Sequence, residues 1–452
     1  MSDNHKELSR RLGFFPVYNI VVANIIGAGI FTTSGLLMGS LGNVTIMITL
    51  WVVGGIIALS GALSYSELGA AMPRAGGEYT FLSQLFHPSV GFLSGWVSFI
   101  AGFSAPIAAS AIGFSEYFYR AYPQIADLAI FDGWISEVGI KRLLAVSVIL
   151  LFTGIHAKGL SFGARIQNIL TILKIGLLAA LILAGFTLGK GDWSHFTQHE
   201  PFIFDLTGWK TGGLALLWVM FAYSGWNAAT YIGSEVKNPE RNIPRALIFG
   251  TLSVMVIYFL LNLFFVYAVP PADMKGVVSV GGLAVGNAFG AKADTVVSLL
   301  ISFALFSSLS AYLILGPRVY YAMSRDGYFF KSISRVAPKS QVPVRAILLQ
   351  GALSLVMVVS GTFDQILTYM GFALGLFPIL AVAGVFRLRK SNLNYIRMPG
   401  FPYVQIIFLL ASGGMLLLSF FERPLESGIA LGTVLLGLPV YWYFWKVHDR
   451  QI

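Results

Sequence analysis

Long uninterrupted apolar runs are the feature that most constrains this chain. Residues 45–63 read TIMITLWVVGGIIALSGAL, and residues 246–269 read ALIFGTLSVMVIYFLLNLFFVYAV. A run of about 18 or more apolar residues is long enough to cross the hydrocarbon core of a bilayer as a helix. Charged residues make up only 11% of the 452 residues, against about 25% in an ordinary soluble domain. The chain is therefore predicted to be an all-α polytopic membrane protein.

Hydropathy predicts about twelve spans in a single transmembrane domain. The first apolar run is too long for a signal-peptide core and lacks a small-residue cleavage pattern, so we expect it to be a retained span. The predicted spans lie near 14–36, 43–70, 89–119, 143–157, 165–187, 211–234, 246–269, 294–324, 343–361, 365–386, 402–421 and 427–446.

The basic residues predict the orientation of the chain. With the N-terminus inside the cell, most of the 30 Lys and Arg residues fall in cytoplasmic segments, as the positive-inside rule requires. Both termini are then cytoplasmic. The formal net charge of +10 is explained by anionic lipid headgroups, so no nucleic-acid partner is expected. The chain contains no cysteine, which excludes disulfides and thiolate metal sites. We propose neither a metal site nor a cofactor.

Two spans are interrupted near their middle. The first contains Gly27 and Gly29 in NIIGAGIF, and the sixth contains Ser224, Gly225 and Asn227 in YSGWN. A single glycine in a span is more often a helix-packing residue. Interruptions at matching positions of two five-helix halves instead indicate a transport site near the bilayer midplane. We place the halves at about 14–187 and 211–386, with additional helices at about 402–446.

Such a break exposes backbone groups of both kinds. Freed N–H groups at the start of a half-helix, together with its positive dipole end, suit a carboxylate. Freed carbonyls at the end of the other half-helix suit an ammonium group. One small molecule carries both charges, so the predicted substrate is an amino acid.

Four motifs give the chain a family resemblance. They are IIGAGIF (25–31), ELGAAMPRAGGEY (67–79), FAYSGWN (221–227) and EVKNPERNIPRA (235–246). The sequence resembles the amino acid–polyamine–organocation (APC) superfamily, and within it the bacterial L-type amino acid transporters. The resemblance covers nearly the whole chain. It implies a LeuT-type fold with a 5+5 inverted repeat, two further helices and discontinuous helices 1 and 6.

The resemblance also implies how a substrate would be held. Backbone N–H groups near Ala28 and Gly29 would bind the substrate carboxylate. The carbonyls of Ile25, Phe221 and Ser224 would bind its ammonium group.

The same comparison assigns roles to residues around the breaks. Phe221 would close over the substrate as the outer gate, although a core or lipid-facing role is the alternative for any one of 36 phenylalanines. Gly27 would allow close approach of the backbone. Asn227 is a weaker candidate for the pocket, with a packing amide as its alternative.

Lys174 lies about two and a half turns inside the apolar stretch RIQNILTILKIGLLAALILAGF (165–186). It is roughly 13 Å from Arg165 at 1.5 Å per residue, beyond the reach of about 6 Å that snorkelling allows. A lysine at this depth is expected to face the bundle interior. In the resembling family a lysine here contacts the unwound first helix, where sodium-coupled relatives hold Na⁺. Sodium-independent transport is therefore expected, with Lys174 as the coupling residue.

The other polar residues limit the substrate. Glu67, Glu116 and Glu235 are interpreted as interfacial or loop-pairing carboxylates, and no mid-span carboxylate lies near the pocket, so neutral amino acids are favoured over cationic ones. Tyr312 departs from the family pattern of small residues and leaves the side-chain preference open, with small substrates favoured. The lack of cysteine excludes a disulfide-linked ancillary subunit and points to a prokaryotic inner-membrane protein that works alone.

The alternatives to an exchanger are another kind of transporter, a channel and an enzyme. A proton-coupled symporter or an exporter of the same fold would carry the same motifs. A channel would need rings of like charge or carbonyls. An enzyme would need a nucleophile with a base, whereas the six histidines lie in tails, loops or span ends without an expected partner in the span interiors. Transport, most simply exchange, is the favoured function.

Overall fold

The computed structural model describes residues 8–127, 136–198, 200–277, 279–290, 293–360, 363–391 and 394–449. Within these residues the regular structure is helical. The α-helices are, in chain order, α1 (Phe14–Ile25), α2 (Gly29–Leu41), α3 (Val44–Ala71), α4 (Glu78–Leu85), α5 (Pro88–Val97), α6 (Ala105–Ala121), α7 (Glu137–Lys158), α8 (Leu160–Thr187), α9 (Leu206–Tyr223), α10 (Pro239–Ala268), α11 (Pro271–Met274), α12 (Val280–Phe289), α13 (Asp294–Arg325), α14 (Val344–Ser360), α15 (Phe363–Leu388), α16 (Tyr403–Glu422) and α17 (Pro424–Asp449).

The helices agree closely with the hydropathy pattern. In the described part of the chain, nine stretches are long and apolar enough to cross a membrane, and shorter apolar helices lie at Val280–Phe289, Val344–Ser360 and Gly375–Leu388. Each of the predicted span ranges overlaps a helix or a pair of helices. Hydropathy did not separate α4, α11 and α12, which are short and lie between the long helices.

The third predicted span contains a change of helix type. A π-helical stretch, Ser98–Ser104, joins α5 to α6, and Pro106 stands in the first turn of α6. Proline has no N–H to donate to the preceding turn, so the regular ladder of hydrogen bonds is interrupted there. The span therefore continues without a gap but with a local widening.

The two predicted interruptions are present. Ile26, Gly27 and Ala28 separate α1 from α2, and the residues from Ser224 to Asn227 separate α9 from a short 3₁₀ segment, Ala228–Tyr231. The helix α1 packs against α8, α10 and α13, and α2 packs against α9. The first break is thus enclosed by other spans, and the second half of the broken first helix lies beside the first half of the broken sixth.

Two ion pairs bear on the interpretation of Glu67 and Glu235 as interfacial or loop-pairing carboxylates: both are paired, but in the interior rather than at an interface. Both are fully buried. Arg318 binds Glu235 through two hydrogen bonds of 2.8 and 2.9 Å, and Arg389 binds Glu67 through two of 2.7 Å. Glu116 does pair near a helix end, with Lys141 at 2.6 Å. A buried carboxylate needs such a partner because its desolvation is otherwise uncompensated.

Candidate functional site

The first break leaves a helix start without a side-chain cap. Ile26 takes an extended conformation (φ −76°, ψ 96°), and no side chain caps α2 at its N-cap residue, Ala28. Gly27 and Ala28 are partly exposed, whereas Ile26 and Gly29 on either side are buried. A Cβ added at Gly27 would meet nothing within 4 Å. The N-terminus of α2 therefore opens on free space, with N–H groups and a positive dipole end that favour an anion.

Lys174 reaches the carbonyls freed by this break. Its side chain is 1% exposed, and its Nζ donates to Ile26 O at 2.8 Å, Ala23 O at 3.3 Å and Ser308 Oγ at 3.0 Å. The hydroxyl of Ser308 lies 2.7 Å from Ile26 O and 3.1 Å from Ala23 O. The ammonium group thus stands where a small cation could otherwise bind the same oxygen atoms. Snorkelling, the alternative for Lys174, does not occur.

Tyr258 of α10 connects the two breaks. Its hydroxyl oxygen lies 2.9 Å from Ile25 O and 3.0 Å from Ala222 O, so its one proton is shared between the last turns of α1 and α9. The side chain is fully buried. The carbonyl of Ile25, predicted to bind the substrate ammonium, therefore already accepts from Tyr258 and keeps its second lone pair for a ligand.

The second break is closed mainly by local hydrogen bonds. Ser224 N donates to Phe221 O at 3.0 Å, and Ala228 N donates to Gly225 O at 3.1 Å. Gly225 has φ +98°, a left-handed conformation that suits glycine. Phe221, Ser224, Gly225 and Asn227 are all partly exposed. The break therefore borders open space along most of its length.

The breaks pack directly on each other. A Cβ added at Gly29 would lie 2.7 Å from Ala222 Cβ, and one added at Gly225 would lie 2.9 Å from the carbonyl carbon of Asn24. The glycines at both positions are required for this close approach. The freed carbonyls at the ends of α1 and α9 and the uncapped start of α2 consequently lie together, as a site for a zwitterion requires.

A buried carboxylate lies at the second break. Glu78, in the first turn of α4, is 5% exposed. It accepts hydrogen bonds from Tyr65 at 2.7 Å, Asn227 at 2.7 Å and Tyr231 at 3.0 Å. Burial raises the pKa of Glu78, since the charged form is desolvated. The sequence analysis considered only carboxylates in mid-span and so did not consider Glu78, which lies between two predicted spans.

A cavity of about 870 Å³ leads away from the first break. It runs from Ala28 and Thr32 to Glu116 and Arg120 at the end of α6 and Lys141 near the start of α7. This is the end of the bundle for which the charge pattern predicts an external location. The lining of the cavity thus extends from the uncapped start of α2 to this end of the bundle.

Phe221 and Tyr312 lie on a shared apolar cluster. Both are partly buried against residues of α6, α7 and α13, among them Ile107 and Leu309. Neither is among the described residues that line the 870 Å³ cavity. The gate role of Phe221 and a pocket position for Tyr312 stay predictions.

The expectation that the histidines lack partners in the span interiors is wrong for His156. It is buried near the end of α7, with Nε2 2.9 Å from Ser310 Oγ and its ring stacked on Phe152. His156 is therefore a packed histidine that is hydrogen-bonded to a hydroxyl of α13. Within the described residues, no group of three or more His, Cys, Asp or Glu side chains could hold a metal ion.

Sequence reasoning did not find Tyr258, Ser308 or Glu78. A weak signal existed for each of them: Tyr258 is a hydroxyl-bearing residue within an apolar run, and Ser308 belongs to the serine-rich stretch SSLS. Glu78 stands in the quoted motif ELGAAMPRAGGEY. None of these signals names a partner, because the partners lie on other helices and most are far away in sequence.

Comparisons with known proteins bear on the family of this chain. A family model described as "Amino acid permease" matches residues 12–443, which confirms the resemblance drawn from the four motifs. The chain is 30% identical over 444 residues to the serine/threonine exchanger SteT of Bacillus subtilis (strain 168), covering 96% of this chain and 97% of the relative. It is 30% identical over 448 residues to the mouse large neutral amino acids transporter small subunit 2, covering 97% and 82%. It is also 28% identical over 446 residues to the mouse b(0,+)-type amino acid transporter 1, covering 97% and 88%.

Proposed function

Because this chain belongs to the amino acid permease family, we propose that it is a sodium-independent secondary transporter of neutral amino acids. It works by alternating access and exchanges one amino acid for another. Relatives that cover most of its length are named as exchangers or transporters of amino acids, which supports this class of function over an enzyme or a channel.

The observation that carries the proposal is the pairing of Lys174 with the first break. Its ammonium group satisfies Ala23 O and Ile26 O together with Ser308. A sodium ion bound to these oxygens would compete with the Lys174 amine for the same lone pairs. Whenever the amine is protonated, the two positive charges would repel strongly in a medium of low dielectric constant. The lysine thus supplies the charge that sodium would bring, and transport needs no sodium gradient.

The substrate is proposed to lie across both breaks. Its carboxylate meets the N–H groups near Ala28 and Gly29 at the uncapped start of α2. Its ammonium group meets the carbonyls of Ile25, Phe221 and Ser224, and Phe221 closes over it from the outer side. Gly27 leaves room for the backbone to approach.

The wider architecture belongs to the same proposal. We propose a LeuT-type fold of twelve transmembrane helices in one domain, with repeats at about 14–187 and 211–386 and further helices at about 402–446. Both termini lie in the cytoplasm, and the protein resides in the inner membrane. The mouse relative named as a small subunit belongs to a larger assembly by its name, but this chain has no cysteine with which to form a disulfide to a partner.

Uptake into liposomes tests the proposed function. The purified protein is reconstituted with and without unlabelled serine inside, and uptake of radiolabelled serine is followed in NaCl and in choline chloride. We expect internal serine to raise the initial rate at least tenfold and the replacement of sodium to change it by less than twofold.

Two results contradict parts of the proposal. Uptake that collapses without sodium contradicts the role of Lys174 as the replacement for the ion. Uptake that needs no internal amino acid and stops with a proton ionophore indicates a proton symporter instead. Protein-free liposomes and liposomes with arginine inside serve as controls for leak and for substrate charge.

A further inference from the structure

The side-chain amide of Asn227 is fixed in one orientation. Its Nδ2 donates to Glu78 Oε1 at 2.7 Å and to Tyr231 Oη at 3.2 Å, so both of its N–H groups are used. Among the described residues, Asn227 Oδ1 accepts no hydrogen bond, and it is not one of the buried polar atoms left unsatisfied. The oxygen is therefore accessible and unpaired at the edge of the second break.

Glu78 decides this orientation. A carboxylate is an acceptor, so it binds the amide nitrogen of Asn227 and turns the amide oxygen the other way. Tyr65 and Tyr231 hold the carboxylate in place from α3 and from the 3₁₀ segment. Close packing of Gly77 on Tyr231 also restrains the position of Tyr231, because a Cβ added at Gly77 would lie 2.5 Å from the Tyr231 ring.

The environment of Glu78 differs from that of the other buried glutamates. Glu67 and Glu235 each bind an arginine, whereas the partners of Glu78 in the described chain are two hydroxyls and one amide. The burial of the Glu78 carboxylate is therefore not explained by an ion pair. Its hydrogen bonds instead hold neutral donor groups in place. One of these donors is the amide of Asn227, a residue that borders open space.

We propose that Glu78 is a positioning residue that makes Asn227 Oδ1 a specificity-determining acceptor for neutral amino acids whose side chains carry an O–H or N–H donor. This inference rests on the proposed function and adds a substrate class to it. Asn227 lies three residues beyond Ser224. A ligand whose ammonium group binds the Phe221 and Ser224 carbonyls can extend its side chain toward the second half of the sixth span. The unpaired Oδ1 of Asn227 lies on that side.

The test compares pairs of substrates that match in size. Serine is compared with 2-aminobutyrate, and threonine with valine, as competitors of radiolabelled alanine uptake in proteoliposomes. One neutral hydrogen bond corresponds to a preference of about three- to tenfold for the hydroxyl member of each pair. Wild-type protein is expected to show this preference. In Asn227→Ala the ratio within each pair is expected to fall below twofold, and this ratio is the readout at whatever absolute rate the variant takes up alanine.

Variants of Glu78 separate positioning from folding. Glu78→Leu removes the acceptor and is expected to reduce the preference to less than twofold, with alanine uptake retained. Glu78→Gln keeps a carbonyl oxygen facing Asn227 and is expected to retain the preference. Where Glu78→Leu does not fold, Asn227→Ala and Glu78→Gln carry the test.

Each contrary result has one meaning. An unchanged preference in Asn227→Ala overturns the assignment of the acceptor. Equal loss of all four substrates in Glu78→Leu, or loss of preference in Glu78→Gln, shows that Glu78 is structural and overturns the positioning role. Wild-type uptake without a preference contradicts this inference alone, whereas wild-type protein that moves no amino acid contradicts the proposed function itself.

Discussion

The first break takes its hydrogen-bond partners from distant spans, whereas the second is closed largely by its own backbone. Lys174, Ser308 and Tyr258 come from α8, α13 and α10 to reach the carbonyls at the end of α1. At the second break, Ser224 and Ala228 bond to residues three positions earlier. At both breaks, some peptide groups have no hydrogen-bond partner within a helix. The two breaks supply these groups with partners in different ways.

A buried ionisable group stands beside each break, and the two are of opposite kind. Within the described residues, Lys174 has no carboxylate partner and Glu78 has no cationic one. Lys174 binds backbone oxygens directly, so it acts on the helix itself. Glu78 binds side chains, so it acts on the orientation of Asn227. Changes at the first break should therefore affect transport as a whole, and changes near Glu78 should affect selectivity.

The largest expected effect is at Lys174. Replacing it with alanine leaves Ala23 O and Ile26 O with Ser308 alone. Because hydrogen bonds from a charged donor are worth about 1.5–3 kcal/mol each, initial uptake should fall by about a hundredfold or more. Proteoliposome uptake measures this effect, and gel filtration in detergent checks the fold.

Lys190→Ala is the matched control for this prediction. Lys190 follows the same helix, α8, and its side chain is exposed, so its removal should change uptake by less than twofold. Wild-type uptake by a folded Lys174→Ala protein would remove the distinction between the two breaks.

The next largest effect is at Gly225. Alanine there must adopt φ +98° and place its Cβ against Asn24, at a cost of about 2 kcal/mol or more. We expect a lower thermal unfolding temperature and at least a tenfold loss of uptake. Gly27→Ala is the comparison, because its Cβ meets open space: its unfolding temperature should stay unchanged while KM rises severalfold. Equal unfolding temperatures for the two variants would contradict the packing of the breaks.

The smallest effect is expected for Tyr258→Phe. The change removes the hydroxyl shared by Ile25 O and Ala222 O, and one lost buried hydrogen bond is worth about 1–3 kcal/mol. Uptake should fall about fivefold or more. Tyr18→Phe is the control, because Tyr18 also joins α1 to α10, through Ser253 at 2.9 Å, but lies away from the break. Similar losses of uptake in both variants would show that the effect comes from the packing of α1 on α10 and not from the break.

Much of the first break could be predicted from the sequence. Gly27 and Gly29 in an apolar run indicate an interruption, and the depth of Lys174 in its span disfavours snorkelling. These are local signals, because the helical rise and the cost of glycine act over a few residues. The second break was located in the same way from YSGWN. The role that each residue plays at these breaks stays a prediction.

The pairings could not be predicted in this way. Glu67 and Glu235 were interpreted as interfacial or loop-pairing carboxylates, yet both are buried, with Arg389 and Arg318 as their partners. His156 read as a span-end histidine, yet it binds Ser310. In each case the partner lies more than 80 positions along the chain, and hydropathy says nothing about which helix faces which. Tyr258 and Glu78 were overlooked for the same reason.

The sequence by itself determined that this chain lives in a membrane, where its spans lie and where two of them are interrupted. Each of these follows from the solvent. Hydrocarbon selects long apolar helices, and where glycines interrupt such a helix, its free N–H and C=O groups need hydrogen-bond partners elsewhere in the protein. Only the tertiary structure decided which side chains satisfy those groups. Lys174 meets Ile26, and Glu78 meets Asn227, because helices far apart in sequence pack together, and packing depends on the shape of the whole bundle.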